Sequence, residues 1–206
     1  MKFLSFLESI EFLEKNKVPN ILPCTIIKSE KDLIKFNDFP YVLKLSSSIL
    51  HKTEKKGVYI NLFTLDQLIK AYNNLGKLMI SEKVKGTIIL QKQVSGLELI
   101  IGLKNDNVFS KILLFGSGGI FTEIFADASI RVLPITEKEA SAMIFESKIG
   151  HILSGARKIK YPTNDLIKLI LKINDLAKKE DIKELDLNPV IINEKGLYIV
   201  DARVLL

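Results

Sequence analysis

The chain is poor in the residues that build several kinds of site. Of its 206 residues, one is cysteine (Cys24), none is tryptophan and two are histidine. A single cysteine excludes an internal disulfide and a zinc cluster built on thiolates, and its apolar segment favours an inert role in the core. No apolar run approaches the ~20 residues that a membrane-spanning helix needs. The sequence therefore predicts a cytosolic protein without thiol chemistry.

The positive charge is modest and dispersed. There are 30 lysine and arginine residues against 24 acidic ones, a formal net charge of +6. This balance suits nucleic acid, small anions or a lysine-rich solvated surface. Because there is no arginine-rich run and no platform of alternating basic and aromatic residues, we expect neither nucleic acid nor a membrane as a partner.

Strand and helix patterns alternate along the chain and predict a mixed α/β fold. Helices are predicted at 4–16, 29–36, 64–79, 136–148 and 164–179. Strands are predicted at 21–27, 41–45, 58–63, 87–90, 97–103, 112–115, 122–125, 130–133, 185–192 and 197–205. The short central strands indicate an antiparallel sheet. The segment 91–96 is the expected hinge between an N-terminal lobe, 1–90, and a C-terminal lobe, 91–206.

The last two predicted strands form a hairpin around the turn 193–196. Counting outward from this turn sets Asn188 opposite Asp201 and Asp186 opposite Arg203, so that all four share one face. Opposed Cβ atoms lie roughly 5 Å apart, which lets an amide oxygen and a carboxylate bind one hard cation, and Mg²⁺ is the natural choice. The alternative is a solvated face on which Asp186 and Arg203 form an ordinary ion pair.

The segment 41–57 carries a lysine and a histidine that suit phosphate chemistry. Lys44 interrupts an apolar strand, where it must reach solvent, lie on a sheet edge or bind an anion. The loop that follows has serines and Gly57, whose hydroxyl and N–H groups can point at phosphate oxygens. His51 lies in this loop among lysines, which disfavour the imidazolium and keep a neutral, nucleophilic nitrogen. The alternatives are a surface role for His51 and, for the competing His151, a role in helix capping.

Two further segments carry weaker signals. Glu98 interrupts an apolar strand just after the expected hinge, where it could bind a ribose hydroxyl or a water, or simply face solvent. Gly116, Gly118 and Gly119 separate two strands, where their N–H groups could surround an anion. An ordinary hairpin turn is the alternative for these glycines.

Three stretches together resemble a known family. They are VLKLSSSILHKTEKKGV, LLFGSGGIFTEIFADASIRVLPI and ELDLNPVIINEKGLYIVDARVLL. In collinear order, over almost the whole chain, they resemble the ATP-grasp β subunit of ADP-forming acyl-CoA synthetases such as acetate–CoA ligase. The histidine loop is the most specific element, because most ATP-grasp ligases use an acyl phosphate and have no such histidine. Lys56 and Lys158 stand where relatives tend to have glycine.

The resemblance implies an ATP-grasp fold whose two lobes clasp ATP or ADP with Mg²⁺. It implies these positions: Lys44 and Gly57 at the phosphates, Gln91 to Val94 at the adenine, Glu98 near the ribose, and Asn188 and Asp201 on the metal. It further implies that His51 takes a phosphoryl group from a histidine of a separate α subunit, in an α2β2 heterotetramer, and gives it to ADP. The segment that approaches the phosphohistidine is matched by Gly118, Gly119, Glu123 and Arg131.

The expected activity is therefore half a reaction, the formation of ATP from phosphohistidine and Mg²⁺-bound ADP, with the acyl-CoA chemistry on the partner. Two alternatives remain. Another ATP-grasp ligase, such as a succinate–CoA ligase β subunit, would keep Lys44, Asn188 and Asp201 but would not need His51. A non-catalytic module would bind nucleotide or RNA without becoming phosphorylated.

Overall fold

The computed structural model describes residues 3–47, 57–119, 127–155 and 159–206. Within these ranges, none of the helices combines the length and the apolar character needed to cross a membrane. The helices are α1 (Phe6–Lys15), α2 (Leu65–Ser81), α3 (Glu137–Glu146), α4 (Lys148–Leu153) and α5 (Thr163–Lys179), with a 3₁₀ helix at Glu30–Leu33. The strands are β1 (Cys24–Ile27), β2 (Tyr41–Ser46), β3 (Val58–Leu62), β4 (Thr87–Lys92), β5 (Leu97–Asp106), β6 (Ser110–Ser117), β7 (Ala128–Val132), β8 (Glu184–Asn193), β9 (Gly196–Ile199) and β10 (Arg203–Leu205). The strand predicted at 122–125 lies outside the described residues.

The chain divides into two compact units. The smaller comprises Ser5–Leu7 and Leu22–Val94, and the larger comprises Met1–Leu4, Glu8–Ile21 and Ser95–Leu206. The N–H of Leu4 donates to the Val204 carbonyl over 2.9 Å. The N–H of Ile199 donates to the Asn20 carbonyl over 2.7 Å. These long-range bonds fix both flanks of the segment 8–21 in the larger unit, whereas the expected lobes of 1–90 and 91–206 assign that segment to the first lobe.

The smaller unit is a four-stranded antiparallel sheet with α2 packed on one face. Its strand order is β1-β4-β2-β3. Helix α2 presents Leu68, Ala71 and Leu75 on one face, and all three are buried in the core with side chains of the sheet. As predicted, Thr64 caps this helix by accepting the N–H of Gln67 over 3.2 Å. Strand β2 is central in the sheet, so its Lys44 is not an edge-strand lysine.

The larger unit is built on a sheet with the order β10-β8-β5-β6-β7, in which β9 also pairs with β8. Alternate residues of β5, namely Leu99, Ile101 and Leu103, are at most 1% exposed. Helix α5 contacts β5, and helices α3 and α4 contact β6. Burying each such side chain contributes roughly 1.5–3 kcal/mol. The intervening residues, such as Ile100 and Gly102, lie on the other face and are half-buried.

The C-terminal hairpin confirms the predicted register. Val190 is opposite Ile199 in β9, and Asp186 is opposite Arg203 in β10. The predicted strand 197–205 is nevertheless interrupted between β9 and β10. Pro189 of β8 faces this interruption and has no N–H to donate to the ladder. Its carbonyl accepts the N–H of Val200 over 3.3 Å, which carries the pairing across the gap.

The helix predicted at 136–148 is in fact two helices. Thr136 and Glu139 form the predicted capping box of α3. Ser147 ends that helix and starts α4, because its side chain accepts the N–H of Gly150 over 3.1 Å. His151 therefore lies inside α4 and is exposed, rather than in a cap that follows a helix.

Candidate functional site

Polar residues of β8 and β10 share the face of the larger sheet opposite the helices. Asp186 is paired with Gly102 of β5 and with Arg203 of β10, and residues directly opposite each other lie on one face. Asn188 is two residues from Asp186 and shares its face. Counting from the pairs on both sides of the interruption, Asp186 with Arg203 and Val190 with Ile199, sets Asp201 opposite Asn188. The register is thus compatible with a shared site for the two predicted metal ligands, whose role stays a prediction.

Asn188 and Asp201 offer the ligand chemistry that Mg²⁺ needs. Both are half-buried. Oδ1 of Asp201 accepts the N–H of Ala202 over 2.8 Å, which orients the carboxylate. The described residues contain no group of three or more His, Cys, Asp or Glu that could hold a metal by themselves. A cation at this pair would therefore take further ligands from phosphate oxygens or water, as Mg²⁺ bound to a nucleotide does.

Glu98 and the glycine segment are in direct contact. The N–H of Gly118 donates to the Glu98 carbonyl over 2.7 Å. Gly119 has a φ of +64°, a conformation that favours glycine. A Cβ added at Gly119 would collide with Oε2 of Glu98. Two segments whose signals are weak when each is taken alone in the sequence are therefore neighbours in the fold.

The side chain of Asp127 is hydrogen-bonded to the residue that precedes this glycine segment, Ser117. It is 5% exposed, and its carboxylate accepts Oγ–H of Ser117 over 2.7 Å and the N–H groups of Lys148 and Ile149 over 2.7 and 2.9 Å. Burial alone would raise the pKa of Asp127, but these three hydrogen bonds outweigh it and hold the pKa below its usual range. Since Ser117 directly precedes Gly118, the carboxylate ties the start of the glycine segment to α4.

Arg131 lies on the helix-covered face of β7. It pairs with Leu113, which is fully buried on that face. Its guanidinium donates to Glu146 of α3 over 2.7 Å, and the Ser129 hydroxyl also donates to Glu146. The structure does not bring Arg131 together with Asn188, and its catalytic role stays a prediction. His51 and Glu123 lie outside the described residues.

In the smaller unit, Lys44 and Gln91 lie on the sheet face opposite α2. Lys44 pairs with Ile89, two residues before Gln91 on β4. Nζ of Lys44 lies 5.0 Å from the centroid of the Phe6 ring, within the range of a cation–π contact. Gln91 is 2% exposed, and its Nε2 donates to the Leu22 carbonyl over 3.1 Å. Its Oε1 is buried and has no hydrogen-bond partner among the described residues.

The expected hinge begins inside β4, and its backbone is held in place. The side chain of Gln93 accepts the backbone N–H of Asn61 at Oε1 and donates from Nε2 to Oδ1 of Asn61, each over 2.6 Å. The backbone N–H of Gln93 donates to the Pro40 carbonyl over 3.0 Å. Val94 is the last residue of the smaller unit. Gly57 accepts the N–H of Leu45 over 2.9 Å. The predicted adenine segment, 91–94, thus begins in β4 and is held in place by hydrogen bonds of Gln93.

A cavity of about 450 Å³ borders the glycine segment on the helix-covered side. Its described walls include the aliphatic Leu97, Ile149 and Ile152, with Glu98, Asp127 and Lys148 as charged residues. The aliphatic wall gives a polyphosphate few hydrogen-bond donors. The polar face with Asn188 is therefore the better candidate for a nucleotide.

Comparison with known proteins decides the family. A family model described as an ATP-grasp domain matches residues 2–206. The chain belongs to the ATP-grasp family. This membership agrees with the mixed α/β architecture and its two antiparallel sheets.

Named ATP-grasp relatives differ in length. The β subunit of ADP-forming acetate–CoA ligase I from Pyrococcus furiosus is 35% identical over an alignment of 210 positions, which covers 97% of this chain and 90% of that subunit. ADP-forming acetate–CoA ligase II from Archaeoglobus fulgidus is 33% identical over 201 residues, which cover 96% of this chain and 29% of that protein. The chain therefore spans most of the first relative and less than a third of the second.

A solved structure resembles this ATP-grasp chain over its full length. It is the dinucleotide-forming acetyl-coenzyme A synthetase 1 of Candidatus Korarchaeum cryptofilum, in complex with coenzyme A and Mg-AMPPCP. The TM-score is 0.82 and the identity 32%, with 100% of this chain and 93% of that chain covered. In that structure the phosphohistidine segment points towards the nucleotide binding site.

Asp127 is the residue of this ATP-grasp site that sequence reasoning missed. It stands between Ala126 and Ala128, and a single aspartate in such a setting predicts a turn as readily as a buried carboxylate. Only the fold shows that its hydrogen-bond donors come from β6 and α4. The sequence signal that could have found it is its position just beyond the glycine segment.

Replacing Asp127 by Asn tests the base of the glycine segment. The amide accepts fewer bonds and turns its own donors towards N–H groups, so we expect the free energy of unfolding near neutral pH to fall by about 1–3 kcal/mol. Because the folded pKa is lowered, the native contribution is present above the unfolded pKa of about 3.9 and is lost as pH falls through the folded value. Urea unfolding from neutral pH down to about pH 3 measures the difference.

Asp165→Asn is the matched control, because this aspartate is half-exposed and pairs only loosely with Lys168, at 3.3 Å. Its effect should be much smaller. A difference between native chain and Asp127→Asn that does not shrink in acid would contradict the assigned role of the carboxylate.

Proposed function

We propose that this chain is the nucleotide-binding β subunit of an ADP-forming acyl-CoA synthetase, of the acetate–CoA ligase type, and that it moves a phosphoryl group between His51 and ADP. One observation supports the proposal most: the observed register of β8 with β9 and β10, which by counting sets Asn188 opposite Asp201, occurs in a chain that spans 90% of a named β subunit. The relatives that carry this comparison are named ADP-forming acetate–CoA ligases.

The proposal assigns a task to each predicted site residue named below. Asn188 and Asp201 hold Mg²⁺, which supplies charge neutralisation at the phosphates when bound. Lys44 balances phosphate charge, and Glu98 accepts from a ribose hydroxyl. Gly118 and Gly119 keep the backbone beside Glu98 free of side chains, so that the carboxylate is not displaced.

The transfer itself exchanges one bond to phosphorus for another. An oxygen of the ADP β-phosphate attacks phosphorus, the bond from phosphorus to the His51 nitrogen breaks, and its electron pair returns to the imidazole. A proton on the other ring nitrogen lets the imidazole leave neutral, and the product is ATP. Catalysis of this step is mostly positioning and charge neutralisation.

The acyl-CoA half of the reaction belongs to a partner in this proposal. The relative from Pyrococcus furiosus is named a β subunit, and the longer relative from Archaeoglobus fulgidus has most of its length outside the matched region. We therefore assign CoA binding and acyl transfer to a separate α subunit, in an α2β2 assembly. A cytoplasmic location follows from the nucleotide and CoA substrates.

Gln91 suggests the nucleobase. Its buried Oε1 is an acceptor with no partner among the described residues, and such a group gains from a donor. The 6-amino group of adenine is a donor, whereas guanine carries an acceptor oxygen at that position. The proposal therefore prefers ADP over GDP.

Asp201→Ala should weaken binding of Mg²⁺-ADP. Mutating even the outer-shell partners of a bound metal typically costs about 10- to 100-fold in affinity, so we expect a loss of at least this size, measured by isothermal titration calorimetry with and without Mg²⁺. Asp181→Ala, at an aspartate whose side chain is 84% exposed, is the control. Native-like, Mg²⁺-dependent affinity in Asp201→Ala would refute the metal assignment.

His51→Ala should abolish phosphorylation of this chain. The chain and its α partner are given γ-labelled ATP, and acid-labile, alkali-stable label is sought on this subunit. His151→Ala, at the exposed histidine of α4, should label as the native chain does. The phosphohistidine hypothesis fails when His51→Ala labels normally.

Gln91→Met should reduce the preference for adenine. The side chain keeps its length but loses the acceptor, so affinity for ADP is expected to fall while affinity for GDP is unchanged. Calorimetric titration with both nucleotides gives the ratio. A preference identical to that of the native chain would show that Gln91 does not select the base.

A further inference from the structure

Arg203 lies beside the candidate metal pair. It is opposite Asp186 in the β8–β10 ladder. It is also two residues from Asp201, so it shares the polar face that carries Asn188. The residue is half-buried, which limits how far its charge is screened by water. A permanent cation is therefore fixed at the part of the sheet where phosphate oxygens would meet Mg²⁺.

The guanidinium of Arg203 is stacked on an aromatic ring. Its Cζ lies 3.9 Å from the centroid of the Phe3 ring. Phe3 is held by a backbone bridge to Leu205, and Leu4 donates its N–H to Val204 over 2.9 Å. Stacking fixes the plane of a guanidinium and leaves the N–H groups at its edge available. Phe3 is thus a platform that holds Arg203 in one orientation.

The guanidinium N–H groups of Arg203 have no hydrogen-bond or ion-pair partner among the described residues. The ion pair with Asp186 that the sequence allows is therefore not formed. Arg131, the other arginine that the structure describes, donates to Glu146 over 2.7 Å and to the Ile130 carbonyl over 2.9 Å. The contrast indicates that Arg131 holds the fold together, whereas Arg203 is arranged for an acceptor from outside.

We propose that Arg203 binds the β-phosphate of a nucleoside diphosphate held at Asn188 and Asp201, and that Phe3 orients it for this contact. The inference rests on the proposed function. A guanidinium matches two phosphate oxygens through parallel N–H bonds, and its charge adds to that of the metal. Arg203 gives up no proton, so its part in the transfer is charge neutralisation and alignment of the attacking oxygen.

Arg203→Met separates this contact from other effects. The variant keeps most of the chain length but loses the charge and the donors. We expect affinity for Mg²⁺-ADP to fall about 10- to 100-fold, and affinity for AMP, which has no β-phosphate, to change less than about threefold. Isothermal titration calorimetry on the full chain, with ADP and AMP in parallel, measures both.

Three further variants serve as controls. Lys183→Met removes a positive charge from a surface pair with Asp181 of 2.5 Å and should leave both affinities unchanged. Phe3→Leu removes the platform and should give part of the Arg203→Met loss for ADP, while Phe3→Tyr keeps the ring and should restore native affinity. Thermal unfolding of each variant shows whether the fold is retained.

The outcomes are distinguishable. Native affinity for ADP in Arg203→Met overturns the inference and leaves the proposed function standing. An equal loss for ADP and AMP also overturns it, because Arg203 then acts on the whole site and not on the β-phosphate. A native chain that binds no Mg²⁺-ADP rejects the proposed function, and the inference with it.

Discussion

The pairing of β8 with β10 is the constraint on which the candidate site depends. It sets Asp186 against Arg203 and carries the same frame to Asn188 and Asp201. A slip of one residue would turn these side chains to the helix-covered face, where Leu185 and Leu187 are now buried. Burial of those leucines therefore fixes the register. In this register the polar side chains lie on the open face.

The division of the larger sheet into two faces explains the roles of its charged residues. On the covered face, Asp127 and Arg131 have partners on α4 and α3, and they hold these helices against the strands. On the open face, Asp201 and Arg203 are instead proposed to bind Mg²⁺ and phosphate. The same residue types thus stabilise the fold on one side and suit phosphate chemistry on the other.

The sequence predicted those features that depend on near neighbours. The turn at 193–196 was enough to give the register of β8 and β10, and the capping residues Thr64 and Thr136 located two helix starts. It did not reveal the break at Ser147, because the helical periodicity of the sequence continues past this single serine. Nor could it reveal the central position of Lys44 in its sheet, because strand order is set by distant pairings.

Long-range contacts account for the other differences at the site. Asp127 gained its role from donors 10 to 22 residues away, which no local pattern encodes. Arg131 shares a segment with the glycines, yet strand alternation turns it to the face away from Asn188. Proximity along the chain was a poor guide to which residues act together.

The membership of segment 8–21 in the larger unit bears on the order of folding. Most of the smaller unit, the stretch 22–94, is inserted in the sequence between two parts of the larger one. The N–H of Leu4 donates to the carbonyl of Val204 in β10, so this part of the larger unit can form only after β10 has been synthesised. The inserted unit has its strands and helix within one continuous stretch, and its contacts are more local. During translation the stretch 22–94 can therefore fold before β10 is made, whereas the segment around Leu4 cannot pair until then.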